Sequence, residues 1–93
     1  MKVQWSERAQ EQVVEIFEYI ARDRPNAAEG VLLSFLERVE LLADLPEQGH
    51  LWGDGSRPDV RVLIHESHRI IYRISANEIS ILSVRHARMD VDE

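Results

Sequence analysis

The side chains best suited to bind anions or transfer protons lie in the last third of the chain. A guanidinium group binds carboxylates, phosphates or carbonyl oxygens, often in pairs, and an imidazole transfers protons near neutral pH. The residues of interest are Arg61, Arg69, Arg73, Arg85, His86 and Arg88. They occur within short runs rich in valine and isoleucine, which suit a β-sheet. We therefore expect a sheet whose arginines contact an anionic or carbonyl-rich partner.

Two interpretations of the Arg85-His86-Ala87-Arg88 cluster are open from its spacing. His86 could act as a general acid or base while the arginines stabilise a phosphorane. Alternatively, the cluster is a polar strand end that caps the sheet.

The other histidines and glycines give no sign of a metal or phosphate site. His65 and His68 are three residues apart around a predicted turn, and no third ligand is evident, so we expect them to be solvated. The glycines between positions 49 and 55 lack the lysine and the strand–helix context of a phosphate-binding loop. We expect no metal and no cofactor.

Three segments predict consecutive strands: residues 59–64, 68–74 and 79–86. Short polar turns at 66–67 and 75–78 separate them, which predicts an antiparallel meander. Arg61 alternates with Val60 and Val62, so it must lie on the opposite face from these valines. If the valines belong to the core, Arg61 lies on the open face of the sheet. Trp52, in the preceding loop of residues 46–58, is predicted to cover a sheet edge.

The N-terminal half predicts a short strand at residues 3–5 and two amphipathic helices. Ser6 is suited to cap the first helix, and Pro25 ends it. Asn26 and Glu29 resemble a capping box that starts the second helix. The short connection predicts an antiparallel helical hairpin. The expected fold class is α+β: an N-terminal strand, an antiparallel helical hairpin and a three-stranded antiparallel meander, in one domain spanning residues 1–93.

Charge and composition restrict the class of partner. The net charge is −6, yet residues 59–88 carry five arginines against three acidic residues, or +2. An acidic chain is a poor sequence-specific DNA binder, because such proteins usually carry a basic excess. With no cysteine and no long apolar run, the chain is predicted to be cytoplasmic and not to bind membranes.

The chain resembles the RelE/ParE superfamily of type II toxins along almost its whole length. The N-terminal matches are Trp5-Ser6-x-x-Ala9, Ile16-x-x-Tyr19-Ile20-Ala21-x-Asp23-x-Pro25-x-Ala27-Ala28 and Leu45-Pro46-x-x-Gly49. The C-terminal matches are Val60-Arg61-x-Leu63, Ile70-Ile71-Tyr72-Arg73-Ile74 and Ile81-Leu82-x-Val84-x-His86-x-Arg88. The resemblance implies the fold derived above and a cognate antitoxin as partner.

The resemblance implies one of two targets. RelE-like members are ribosome-dependent mRNA endoribonucleases, whose site residues would correspond to Arg61, His86 and Arg88. ParE-like members inhibit DNA gyrase and are not nucleases. The chain has no tyrosine after Tyr72 and only one lysine, Lys2. These features and its acidity favour the ParE-like branch. A third interpretation is a non-toxic remnant that only binds antitoxin.

The apolar load on two helices and a narrow sheet predicts a hydrophobic groove that the monomer leaves unfilled and that the antitoxin covers. We expect an amphipathic antitoxin helix to pack on the helical hairpin, with a strand added at the sheet edge. Its acidic side chains would meet the sheet arginines.

Overall fold

A computed structural model describes residues 1–87. Its regular elements are β1 (Lys2–Trp5), α1 (Glu7–Asp23), α2 (Pro25–Glu40), β2 (His50–Leu51), β3 (Val60–His65), β4 (His68–Ile74) and β5 (Glu78–His86). Short 3₁₀ turns at Leu41–Ala43 and Pro46–Gln48 lead from α2 toward β2. The predicted α+β order is confirmed. The stretch predicted as loop contains β2 and the second of these turns.

The strands form one sheet in the order β1-β5-β4-β3-β2. The predicted meander is present, because β3 pairs with β4 and β4 with β5, both antiparallel. The N-terminal strand β1 joins the far edge and runs parallel to β5. The helical hairpin carries the chain from β1 at this edge toward β2 at the opposite edge.

The first helix begins as predicted. The Ser6 side chain accepts a hydrogen bond from the Ala9 N–H at 3.0 Å, which satisfies one free donor of the first turn. The predicted Asn26–Glu29 capping box is wrong. The second helix already begins at Pro25, with Arg24 at the N-cap and no side-chain cap bond. Proline suits this first position because it has no N–H to satisfy.

The helices cover one side of the sheet, here called the helix-facing side. The buried core lies between the layers, and the other side is the open face. The core residues are Ala9, Ile16, Phe17, Ile20, Phe35, Val39 and Leu42 from the helices and the following turn, and Leu63, Ile70, Tyr72, Ile79, Ile81 and Val84 from the sheet.

A β-bulge in β5 decides which of its residues face the helices. Tyr72 pairs with Ile81, but the preceding Ile71 pairs with Ser83. One extra residue in a strand reverses the alternation beyond it. As a result, Val84 and His86 lie on the helix-facing side, and Arg85 lies on the open face.

No helix among residues 1–87 is long and apolar enough to cross a membrane.

Candidate functional site

The open face presents a groove with an apolar floor and cationic side chains. The groove has a volume of about 370 Å³ and is lined by His50, Trp52, Gly53, Val62, Arg69, Ile71 and Arg85. Strands β2 to β5 supply most of these residues, and the loop after β2 supplies Trp52 and Gly53.

Three of the predicted arginines share this face. Arg69 and Arg85 lie directly opposite each other on β4 and β5, and Arg73 lies opposite Ser80. Two like charges at directly opposed positions are unfavourable in an isolated strand pair. An arrangement of this kind is suited to anionic groups, which would reduce the repulsion.

The helical layer carries the opposite charge. The outward side chains of α1 and α2 include Glu7, Glu11, Glu15, Glu18, Asp23, Glu29, Glu37 and Glu40, all exposed. Negative charge on the helices and positive charge on the open face give this acidic chain two electrostatically different sides.

Trp52 lies at the rim of the groove with 44% of its surface exposed. Its backbone N–H donates to the Val60 carbonyl at 3.1 Å, which extends the β2–β3 pairing by one residue. The indole is therefore a half-exposed wall of the groove. Half-exposed tryptophans are enriched where proteins bind partners.

Arg61 lies on the opposite side of the sheet from the groove, contrary to the expectation that it would face the open surface. It pairs with Tyr72 across β3 and β4, and Tyr72 belongs to the core. Val60 and Val62 are buried, but on the open-face side and outside the core cluster. The premise that these valines face the helices was wrong, so the side inferred for Arg61 was reversed.

Arg61 binds backbone carbonyls of the segment before β2. Its Nη1 donates to the Gly49 carbonyl at 2.6 Å and to the Glu47 carbonyl at 3.4 Å. Its buried Nε has no hydrogen-bond partner among the described residues. Through these contacts Arg61 holds the segment before β2 in position.

Tyr72 completes this loop anchor, which we define as Arg61, Tyr72 and their partners at residues 46–49. The Tyr72 hydroxyl accepts from the Gly49 N–H at 2.9 Å and donates to the Pro46 carbonyl at 2.6 Å. Burial raises the pKa of this phenol, because the charged form would lose its hydration. Arg38 adds a bond from α2, with its Nη2 2.6 Å from Gln48 Oε1.

Gly49 is needed within the loop anchor because no side chain fits there. A Cβ at this position would lie 2.6 Å from the Val62 carbonyl oxygen and 2.9 Å from the Tyr72 hydroxyl. The loop can therefore approach the sheet closely, and this close approach determines the positions of β2 and of Trp52, which follows it.

The residues considered for ribonuclease chemistry do not converge. Arg61 lies opposite Tyr72, and His86 lies opposite His68, which comes four residues before Tyr72 in β4. This offset corresponds to about 13 Å along the strands and about 10 Å across two strand spacings. His86 is only 9% exposed and packs against the Tyr19 ring at 6.0 Å. Arg88 lies outside the described residues.

His68 is buried, contrary to the expectation of a solvated turn residue. It is 3% exposed, and neither ring nitrogen has a hydrogen-bond partner within residues 1–87. Burial is the largest cause of the lowered pKa of its imidazole, followed by the charge of His86. Within residues 1–87, no group of histidines and carboxylates could hold a metal ion.

The fold places this chain among small α+β proteins in which a helical hairpin covers one side of a sheet. A family model described as "ParE toxin of type II toxin-antitoxin system, parDE" matches residues 3–91. The chain belongs to this ParE toxin family, within the RelE/ParE superfamily, and membership implies an antitoxin as partner.

Two individual proteins show the same similarity. A Sinorhizobium fredii protein named "Putative toxin Y4kP" is 35% identical over 86 residues, which cover 92% of this chain and 88% of that protein. A solved chain from the chromosomal ParDE TA system of P. aeruginosa superimposes with a TM-score of 0.77 and is 26% identical. The match covers 92% of this chain and 95% of that one.

Proposed function

We propose that this protein is a toxin that inhibits DNA gyrase and is neutralised by a cognate antitoxin. The observation that carries the choice is the separation of Arg61 from His86 on the helix-facing side of the sheet. Acid–base cleavage of RNA requires its groups to converge on one phosphate, within hydrogen-bond reach. Arg61 is engaged with loop carbonyls. The ribonuclease alternative therefore has no assembled site within residues 1–87.

The open face is the proposed contact surface for the antitoxin and the target. Arg69, Arg73 and Arg85 supply charge, and Ile71 with Trp52 supplies apolar area. We propose that an acidic, amphipathic antitoxin segment occupies the groove. In this proposal the acidic side chains of the antitoxin contact the arginines of the open face. The antitoxin helix that was predicted to pack on the helical hairpin could contact Val14 and Leu33, which are exposed there.

Two assays with the purified protein separate the candidate functions. In a supercoiling assay we expect loss of gyrase activity together with accumulation of cleaved DNA. In a translation-coupled assay we expect no mRNA cleavage. Cleavage of mRNA with intact supercoiling would replace the proposed function with the ribonuclease one. Inactivity in both assays, with antitoxin binding retained, would identify the protein as a non-toxic remnant.

A charge-reversal pair tests the surface. Arg69→Glu changes the open face, while Arg8→Glu makes the same charge change on an exposed position of α1. We expect Arg69→Glu to weaken antitoxin binding by about 10-fold or more, since contacts between charged groups are worth about 1.5–3 kcal/mol. Arg8→Glu should change it little. Equal effects of the two variants would show that the open face is not the contact surface.

A further inference from the structure

Three histidines form a row at one end of strands β3, β4 and β5, on the helix-facing side of the sheet. His65 of β3 pairs with His68 of β4, which pairs with His86 of β5. The His68 ring centroid lies 6.5 Å from that of His65 and 5.1 Å from that of His86. We call these residues the histidine row. Neither the fold nor the proposed function requires three imidazoles in contact.

The middle member of the row is enclosed by the core. The His68 ring lies 5.2 Å from the Phe35 ring and 5.8 Å from the Phe17 ring, measured between centroids. These contacts place an imidazole between α1, α2 and the sheet, where the two layers meet. A neutral ring can pack there as an aromatic side chain. A charged ring would bring a positive charge and two N–H donors into a place where neither ring nitrogen has a hydrogen-bond partner among residues 1–87.

We propose that the histidine row is an acid-sensitive contact: His68 packs between the helical hairpin and the sheet only as a neutral ring, so mild acidification weakens this packing by favouring states in which the layers have separated and the ring can bind a proton.

The groups around His68 do not compensate its charge. Glu66, at the turn between β3 and β4, favours a proton on His68, but it is exposed, and this contribution is smaller than those of burial and His86. The backbone of His65 favours the proton more than the charge of the His65 ring opposes it, but both effects are smaller than those of burial and His86. The neighbouring cavity, of about 350 Å³, adds one acid and one base at the end of α1, Asp23 and Arg24, whose charges oppose each other.

The helix side chains that pack on His68 provide no acceptor. The α1 and α2 contacts of His68 are the phenyl rings of Phe17 and Phe35. A phenyl face attracts a cation, but by less than the cost of burying a charge without a partner. Tyr19 packs on His86, and Ser34 lies 3.4 Å from His65 Nε2, so both contact the ends of the row. Arg85 lies on the other side of the sheet.

The expected size of the effect follows from proton linkage. In the unfolded chain His68 has the ordinary pKa of about 6.5, while its pKa in the folded protein is lower. The unfolded state therefore binds more protons, and stability falls as pH decreases through the unfolded value. If the folded ring stays neutral, lowering the pH from 7.5 to 5.0 shifts the unfolding equilibrium toward the unfolded state by about 30-fold.

The first test uses the wild-type protein. The ring signals of its four histidines are followed by NMR from pH 7.5 to 5.0, with the exposed His50 as internal reference. We expect the His68 signal of the folded protein to keep the position of a neutral imidazole down to pH 5. Titration of folded His68 centred near pH 6.5 would overturn the proposal, whatever the behaviour of any variant.

The second test compares variants by urea unfolding at pH 7.5 and 5.0. His68→Phe keeps an aromatic ring but has no titrating group, and His50→Gln removes an exposed histidine as the matched control. We expect the unfolding constant of His68→Phe to change about 30-fold less between the two pH values than that of the wild type, since this is the linkage of one buried imidazole. His50→Gln should follow the wild type. An unchanged pH dependence in His68→Phe would contradict the proposal.

Discussion

Replacing Tyr72 with phenylalanine is the sharpest test of how the loop anchor holds the segment before β2. The substitution removes one oxygen atom and leaves the buried ring in place. It takes away both hydrogen bonds of the hydroxyl, from the Gly49 N–H and to the Pro46 carbonyl. The Gly49 N–H then loses its partner in a buried site, and the Pro46 carbonyl loses its partner in a partly buried one.

The expected cost follows from these two bonds. Each contributes about 1 kcal/mol net, and an orphaned buried group costs about 1–3 kcal/mol. We therefore expect Tyr72→Phe to lower the free energy of unfolding by about 2 kcal/mol. For a domain of this size, 1 kcal/mol corresponds to about 4–8 °C in melting temperature, so the loss should be about 10 °C.

Thermal and urea unfolding, followed by circular dichroism, measure this loss. Tyr19→Phe is the matched control, because it removes the same atom from a half-buried tyrosine. The Tyr19 ring packs on the His86 ring and on the guanidinium of Arg22. We expect it to change the stability by less than about 0.5 kcal/mol. If both variants lost the same stability, or if neither lost any, the hydroxyl would not be an anchor and the reasoning from its bonds would fail.

Three further substitutions test neighbouring features by the same unfolding measurement. Arg61→Ala should cost about 1–2 kcal/mol, because it removes a charged donor from the Gly49 carbonyl; a loss below 0.5 kcal/mol would mean that Arg61 is not needed to hold the loop. Gly49→Ala should cost about 1–3 kcal/mol, because the new methyl group meets the Val62 carbonyl; wild-type stability would show that the loop moves away freely. Glu66→Asn should raise the stability by about 0.5–1 kcal/mol, because Glu66 has a left-handed φ of 55° that asparagine tolerates better; no gain would show that the turn relaxes around Glu66.

Local patterns predicted most of the fold, because each element carries its own signal. Ser6, Pro25 and the valine-rich runs mark boundaries through capping, backbone restriction and β-propensity, and the structure places the elements within one or two residues of them. β2 could not be predicted, since two residues have no periodicity. Its place depends on the loop anchor, which joins residues more than 20 positions apart.

The candidate site was less predictable because alternation determines that neighbouring residues lie on opposite faces, but not which face the helices cover. The sequence placed Arg61 opposite Val60 and Val62 and predicted that the valines are buried, and both predictions are confirmed. The inference that Arg61 therefore lies on the open face is wrong, because the valines are buried on that face. Val60 and Val62 are buried on the open-face side, so burial alone did not identify the helix-facing side. A signal was available in Leu63 and Tyr72, which share Arg61's face and carry larger apolar area.

The bulge in β5 determines which basic residues can act together. In an unbroken strand, Arg85 would share the face of Ile79 and Ile81, and its charge would be directed into the core. The extra residue moves Arg85 to the open face, opposite Arg69, and moves His86 beside His68 at the layer boundary. The same irregularity thus assembles a cationic surface on one side and a buried histidine row on the other. Arg85 and His86 are adjacent in sequence, yet a partner bound on the open face would contact only the arginine. This separation is why a cluster that resembled one catalytic group in the sequence is better explained as two independent features: an arginine on the proposed binding surface and a histidine packed at the layer boundary.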